Sequence, residues 1–134
     1  MKVNVHFVFF MKGVHVYPGY KKYGLGMKHF HVFRVLVSIR EYKPREIEFI
    51  ELRQQVQATI RLRRLKGAVL DFEEMSCEEI ALGIAQIVAK WLKQKKLKFR
   101  SMFVIVDETD EAGGAVVELT KKEVEKLAEQ EDIL

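Results

Sequence analysis

Two strand-like segments near the start of the chain constrain its fold more than any other feature. Apolar residues alternate with other residues along 3–10, and a second run rich in Val, Phe and Ile covers 31–39. Alternation with a period of two is typical of β-strands. Residues 11–28 between the two runs contain four glycines and a proline, which favour a loop. The sequence therefore predicts a long β-hairpin.

The rest of the chain predicts helices and two further strands. Apolar spacing indicates a helix over 45–62 after Pro44, and a second amphipathic helix that begins at Ser76, with Glu79 completing a capping box. Strands are predicted at 102–106 and 115–119, followed by a short charged helix capped by Thr120. This order predicts an α+β protein: an antiparallel sheet with the helices on one face.

Length and composition limit the class of protein. The chain has 134 residues, of which 49% are hydrophobic and 31% charged, and this suits a single folded domain. Cys77 is the only cysteine, which excludes an intramolecular disulfide framework and a cysteine-built zinc site. No apolar run is long enough to span a bilayer, and the start lacks the apolar core of a signal peptide. We therefore expect a cytoplasmic protein with no membrane partner.

Charge is divided unevenly along the chain. Residues 1–70 carry 14 Lys and Arg against 4 Asp and Glu, whereas residues 71–134 carry 9 against 15. Such asymmetry is compatible with a nucleic-acid-binding face, with subunits that stack basic half on acidic half, or with a basic surface for a phosphorylated substrate. Composition leaves these alternatives open.

Three histidines have the spacing of a metal site. His29 and His31 lie two residues apart at the start of the second strand, so their side chains point to the same side. His15, just after the first strand, is placed to supply a third imidazole from the facing strand of the hairpin. Three imidazoles with an open fourth position are typical of catalytic zinc. The alternative is that they are partly exposed polar residues with no shared role.

Other residues have two interpretations each. Glu108, at the end of the third strand, is either a bidentate acceptor for the edge of a ligand or a turn residue in an acidic loop. Asp71 is either a turn residue or a buried acid. Cys77 lies in the first turn of a helix, whose dipole would lower the pKa of its thiol, but a lone cysteine is more commonly inert packing.

Read in order, these segments resemble the 6-pyruvoyltetrahydropterin synthase family, which includes the bacterial 6-carboxytetrahydropterin synthases. The resemblance covers residues 3–119. It rests on four motifs in family order: His15 with the 27–31 segment MKHFH, the 48–53 segment EFIELR, the 76–81 segment SCEEIA, and the 106–109 segment VDET.

The resemblance implies a fold and an assembly. The expected fold is the family's tunnelling fold, with a four-stranded antiparallel sheet, two long helices on one face and a short C-terminal helix. We expect a pterin-synthase-like domain over 1–119 and a helical tail over 120–134. Family subunits join their sheets into a barrel, so the implied state is a homo-oligomer, either a trimer or a hexamer.

The resemblance also implies roles for individual residues. His15, His29 and His31 correspond to the family's zinc ligands, and Glu108 corresponds to the glutamate that anchors the pterin ring. The start of the second long helix, Ser76, Cys77 and Glu78, is expected to contact substrate. The implied activity is that of a zinc-dependent lyase acting on a pterin-type substrate.

The chain departs from the family where the proton transfers take place. The family's nucleophilic cysteine corresponds to Leu25, and its catalytic Asp-His pair corresponds to Asp71 and Phe72. Asp71 is therefore the remaining catalytic candidate, with Glu108, Cys77 and Tyr23 as further acid or base candidates. Two alternatives follow: a pterin- or purine-binding protein of the same fold without the chemistry, and a nucleic-acid-binding protein. The second is disfavoured because the aromatic residues are not spaced as a stacking platform.

Overall fold

The computed structural model describes residues 2–16 and 27–134. Along this part of the chain the strands are β1 (Val3–His15), β2 (His29–Glu41), β3 (Leu65–Lys66), β4 (Val69–Asp71), β5 (Ser101–Glu108) and β6 (Gly113–Thr120), and the helices are α1 (Phe49–Arg64), α2 (Cys77–Gln94) and α3 (Lys121–Ala128). Tyr23 and Leu25 lie outside the described residues.

One sheet organises the molecule. Its strand order is β3-β4-β1-β2-β5-β6, and the β1–β2, β2–β5 and β5–β6 pairs are antiparallel. Burial alternates along β1 and β2, so that one face of the sheet packs against the helices while the other face keeps partly exposed side chains. The predicted α+β class and the hairpin are confirmed.

The prediction of a four-stranded, wholly antiparallel sheet is wrong. The described chain has six strands, because the connector between the two long helices adds β3 and β4 at the edge of β1. β4 pairs with β1 in parallel, through Gly13 with Leu70 and Val14 with Asp71. These strands have two and three residues, which is too short for an alternating pattern to be visible in the sequence.

Both predicted capping boxes are present. The Ser76 hydroxyl oxygen accepts a hydrogen bond from the Glu79 backbone N–H, and the Glu79 carboxylate accepts one from the Ser76 backbone N–H. Thr120 and Glu123 do the same at the start of α3. The boxes satisfy backbone donors that the first helical turn leaves without partners. None of the helices in the described part of the chain has the length and hydropathy needed to span a bilayer.

The C-terminal segment packs on α2. Gln86 is fully buried, and its amide nitrogen donates to the backbone carbonyls of Leu127, Gln130 and Glu131. Its amide oxygen accepts a hydrogen bond from the Ile133 backbone N–H at 2.8 Å. A single side chain of α2 therefore fixes the path of the chain after α3.

Ion pairs link the basic first half to the acidic second half within one chain. Lys28 Nζ lies 2.6 Å from Asp71 Oδ2, and Arg63 lies 3.2 Å from the carboxylate of Asp132. Part of the charge asymmetry is thus accounted for by contacts inside the subunit.

Candidate metal centre

The register of the sheet brings three histidines together. β1 and β2 pair so that His15 lies opposite His29 and Gly13 lies opposite His31. Because side chains alternate between faces, the three imidazoles project from the same face of the sheet, the one that packs against the helices. The ring centroids lie 4.6 to 5.2 Å apart. The predicted grouping of these histidines is therefore present in the structure, whereas His6 is exposed elsewhere on β1.

The neighbouring strand contributes a carboxylate to the same end of the sheet. β5 pairs with β2 so that Glu108 lies opposite Phe33. Phe33 follows His31 by two residues along β2, so the two side chains lie on the same face of the sheet. Glu108 Oε1 lies 3.0 Å from His15 Nε2, and Oε2 lies 3.5 Å from His31 Nε2. One potential ligand atom from each of His15, His29, His31 and Glu108 can be chosen so that all four lie within 4.8 Å of one another.

Each of the three imidazoles is oriented by an oxygen atom that contacts its Nδ1. Nδ1 of His15 donates to the Met75 carbonyl, and Nδ1 of His29 donates to the Met27 carbonyl, both at 2.9 Å. Nδ1 of His31 lies 2.8 and 2.9 Å from the two carboxylate oxygens of Asp110. A ring whose Nδ1–H is engaged in this way can ligate a metal through Nε2, and metal-ligating histidines are usually held by such a contact. The donor set therefore fits a zinc ion.

The rings of Phe33 and Phe72 form the apolar surroundings of the histidines on the buried side. Phe33 is fully buried and makes edge contacts with His15 and His31, at ring-centroid distances of 5.4 and 5.7 Å. Phe72 packs edge-on against Phe33 and fills the space beside Gly13, where an added Cβ would lie 2.8 Å from the Phe72 ring. Phe72 is thus a packing residue without a transferable proton.

Asp71 is engaged in an ion pair. Its carboxylate is buried, accepts a hydrogen bond from Lys28 at 2.6 Å and accepts another from the Glu73 backbone N–H. The hydrogen bond from Lys28 is the largest cause that lowers the pKa of Asp71 below its usual value. Asp71 is therefore an ionised structural acid at neutral pH.

Cys77 lies close to Glu108, and its thiol is neutral. Sγ lies 3.5 Å from Glu108 Oε1, and the residue is buried at the start of α2. Burial, followed by the charge of Glu108, raises the pKa of the Cys77 thiol to about 12. Desolvation and a nearby carboxylate both disfavour the thiolate and outweigh any lowering by the helix dipole, which favours the interpretation of Cys77 as a packing residue.

The other predicted substrate-contacting residues have local roles or face solvent. The Ser76 hydroxyl caps α2 through Glu79, and Glu78 is exposed.

Burial lowers the pKa of His15, which disfavours a proton on this ring.

Two partners of the centre were not predicted from the sequence. Asp110 holds His31 and Lys28 holds Asp71. The acidic segment DETDE offers a hint of Asp110, because Glu108 and Asp110 lie two residues apart at the end of a strand. Lys28 carries no such hint, since its partner is 43 residues away.

These features define an α+β protein in which three histidines and a glutamate that could hold a metal ion meet at one end of the sheet. No protein-family model matches the sequence, and no curated protein matches it. Solved structures do match. The 6-pyruvoyl tetrahydropterin synthase of Plasmodium falciparum is 15% identical, with a TM-score of 0.62 over 89% of this chain and 98% of its own.

Two further synthases agree with this result. That of Caenorhabditis elegans is 12% identical, with a TM-score of 0.62 over 88% of this chain and 96% of its own. A Plasmodium vivax synthase with a substituted catalytic residue is 14% identical, with a TM-score of 0.64 over 90% and 99%. The chain therefore has the fold of the 6-pyruvoyl tetrahydropterin synthases, and the resemblance inferred from its motifs is confirmed at the level of the fold.

Proposed function

We propose that this protein is a zinc-dependent, pterin-binding protein of the 6-pyruvoyl- and 6-carboxytetrahydropterin synthase type, with weak or absent synthase turnover. The observation that carries the proposal is the convergence of His15, His29 and His31 on one another within this fold, each with its Nδ1 engaged by an oxygen. The fold alone would leave the function open, because one fold hosts many activities.

The binding roles follow from the donor chemistry. His15, His29 and His31 would hold the zinc, which when bound would supply Lewis-acid polarisation of a hydroxyl or carbonyl oxygen on the substrate side chain. Glu108 offers two carboxylate oxygens, which match the paired N–H donors along the edge of a pterin ring. Cys77 donates its S–H toward Glu108 and helps to position that carboxylate.

Proton transfer is the weak part of this site. A positioned general acid or base contributes about 10²- to 10⁴-fold to a rate. Phe72 has no proton to transfer, Asp71 is ionised and paired with Lys28, and the Cys77 thiol is neutral near pH 7. We therefore expect the pterin to be bound, and lyase turnover to be slow or absent. The runner-up function is that of a ligand-binding protein that has lost the chemistry altogether.

We also propose the domain bounds, the oligomeric state and the cellular location of the protein. Residues 1–119 form the pterin-synthase-like domain, 120–134 form the helical tail, and the subunit assembles into a trimer or hexamer in the cytoplasm. Phe10, Phe30 and Val116, which are 50 to 60% exposed, support assembly, because they leave apolar surface on the strands.

Metal analysis tests the first half of the proposal. Zinc content should be close to one ion per chain in the wild type and should fall strongly in His29→Ala, because one of three imidazole ligands is lost. His6→Ala is the matched control, since it removes an exposed histidine from the same hairpin. Equal zinc content in the wild type and His29→Ala would refute the metal role.

Ligand binding and turnover test the second half. Fluorescence titration with a pterin should show saturable binding, and Glu108→Ala should abolish it. Turnover of dihydroneopterin triphosphate by the wild type should be slow or undetectable. Full turnover would show that the missing cysteine and histidine have been replaced by other residues, and unchanged pterin affinity in Glu108→Ala would refute the anchoring role.

A further inference from the structure

The carboxylate of Glu108 is as close to the imidazoles of His15 and His31 as two ligands of one metal ion are to each other. Its two oxygens approach two different histidines, at 3.0 Å from His15 Nε2 and 3.5 Å from His31 Nε2. Ligand atoms about 2.0–2.1 Å from a tetrahedral zinc lie roughly 3.3 Å from one another. The observed separations bracket that value, so Glu108 stands in the position of a ligand.

The hydrogen bonding of His31 gives a second argument. Its Nδ1 faces the carboxylate of Asp110, which accepts the ring N–H at that nitrogen. The other ring nitrogen, Nε2, faces Glu108 and lies 3.5 Å from its Oε2. Nε2 is buried and makes no hydrogen bond to the described residues. A cation among these atoms would give both Nε2 and the carboxylate a partner, and one ligand atom from each of the three histidines and Glu108 lies within 4.8 Å of the others.

The backbone holds Glu108 in this position. Thr109 donates from both its backbone N–H and its hydroxyl to the Val32 carbonyl, at 3.0 and 2.8 Å. This double contact fixes the end of β5 against β2, with Glu108 on one side of Thr109 and Asp110 on the other. The Cys77 thiol supports the carboxylate from α2.

We infer that Glu108 is a fourth protein ligand in the ligand-free protein, so that His15, His29, His31 and Glu108 form a closed four-coordinate centre. The inference rests on the metal role proposed above and changes its consequence. A centre with four protein ligands has no open position. Metal ligation and recognition of a pterin ring would then compete for the same carboxylate, and Glu108 would have to be displaced before the metal could accept another ligand.

Cobalt substitution tests this inference directly. The wild type, Glu108→Gln, Glu108→Ala and the control Glu111→Gln are loaded with Co²⁺ and titrated with azide while the visible absorption bands are recorded. Glu111 is an exposed acid three residues away, so its loss leaves the centre intact. The wild type and the control should not respond to azide. Both Glu108 variants should respond, and should bind Co²⁺ at least about 10-fold more weakly, the lower end of what even outer-shell losses cost.

The failures of the two proposals are distinguishable. An azide response in the wild type as large as that in Glu108→Ala would overturn the fourth ligand and leave a three-histidine centre with an open position. Unchanged Co²⁺ affinity in both Glu108 variants would overturn it as well. Absence of bound Co²⁺ and Zn²⁺ from folded wild type, verified by circular dichroism, would overturn both the inference and the metal role on which it rests.

Discussion

Both carboxylate oxygens of Asp110 lie within hydrogen-bonding distance of His31 Nδ1, at 2.8 and 2.9 Å. The aspartate lies in the turn after β5, whereas the histidine lies near the start of β2, so a contact across the sheet sets the orientation of one imidazole. The same hydrogen bond is the largest cause that lowers the pKa of Asp110. The carboxylate is therefore ionised at neutral pH, accepts the N–H at Nδ1 and orients the ring so that Nε2 faces the centre.

Asp110 should control metal affinity without touching the metal. Asp110→Ala removes the acceptor of the His31 ring N–H, and we expect Zn²⁺ affinity to fall by about 10- to 100-fold. Competition against a chromophoric chelator measures this change. Glu111→Ala is the matched control in the same turn and should bind zinc like the wild type. If Asp110→Ala binds zinc as tightly as its control does, the positioning role is wrong.

Asp71 should contribute stability that depends on acid pH. Its pKa in the folded protein lies below the ordinary 3.8, so the unfolded chain binds more protons in this range. The stabilisation is present above that ordinary value and is lost as the pH falls through the folded pKa. Loss of the buried, charged hydrogen bond in Asp71→Asn should cost roughly 1–3 kcal/mol at pH 7.

Urea unfolding as a function of pH checks the role of Asp71. The difference in free energy of unfolding between the wild type and Asp71→Asn should shrink as the pH drops below 3.8. Glu74→Gln, which alters an exposed acid in the same connector, should follow the wild type. A difference that stays constant with pH would rule out the Lys28–Asp71 pair as its source.

Cys77 should be unreactive in the folded protein. Its thiol is buried and has a pKa of about 12, so the thiolate is scarce at pH 8. Even after allowance for the greater nucleophilicity of a more basic thiolate, alkylation by iodoacetamide should be at least about 50-fold slower than in the urea-unfolded chain. Mass spectrometry of timed samples measures both rates, and similar rates in the two states would contradict the assignment.

Gln86 should determine whether the C-terminal segment stays docked. Gln86→Glu replaces an amide that donates to three carbonyls with a carboxylate that faces them, and should cost at least roughly 1–3 kcal/mol in the free energy of unfolding. The variant should also be cleaved faster after α3 in limited proteolysis. Gln54→Glu, an exposed change on α1, is the control. Equal stability and equal cleavage in the two variants would disprove the docking role.

The subunit should assemble. β6 is the last strand of the sheet, with one edge unpaired in the described chain, and Phe10, Phe30 and Val116 expose apolar surface. Light scattering coupled to size exclusion should give three or six times the single-chain mass of 15.7 kDa. A mass near the single-chain value at all concentrations would overturn this prediction.

The parts of the fold predictable from the sequence are those with local causes. Side-chain alternation predicted the hairpin, and Ser76 with Glu79 and Thr120 with Glu123 predicted the starts of α2 and α3. The two-residue strand β3 and the three-residue strand β4 could not be predicted in this way. They exist because the connector pairs with the edge of β1, as in the hydrogen bond from Phe72 N to the Val14 carbonyl.

The candidate site likewise has one part that could be predicted from the sequence and one part that could not. The sequence by itself determined that His29 and His31 share a face, because two residues along a strand return a side chain to the same side. Tertiary structure decided that His15 lies opposite His29, that Glu108 arrives from β5 at 3.0 Å from His15, and that Asp110 reaches His31 from 79 residues away. Register between strands depends on packing over the whole sheet, so distances between ligands from different strands are set only when the chain folds.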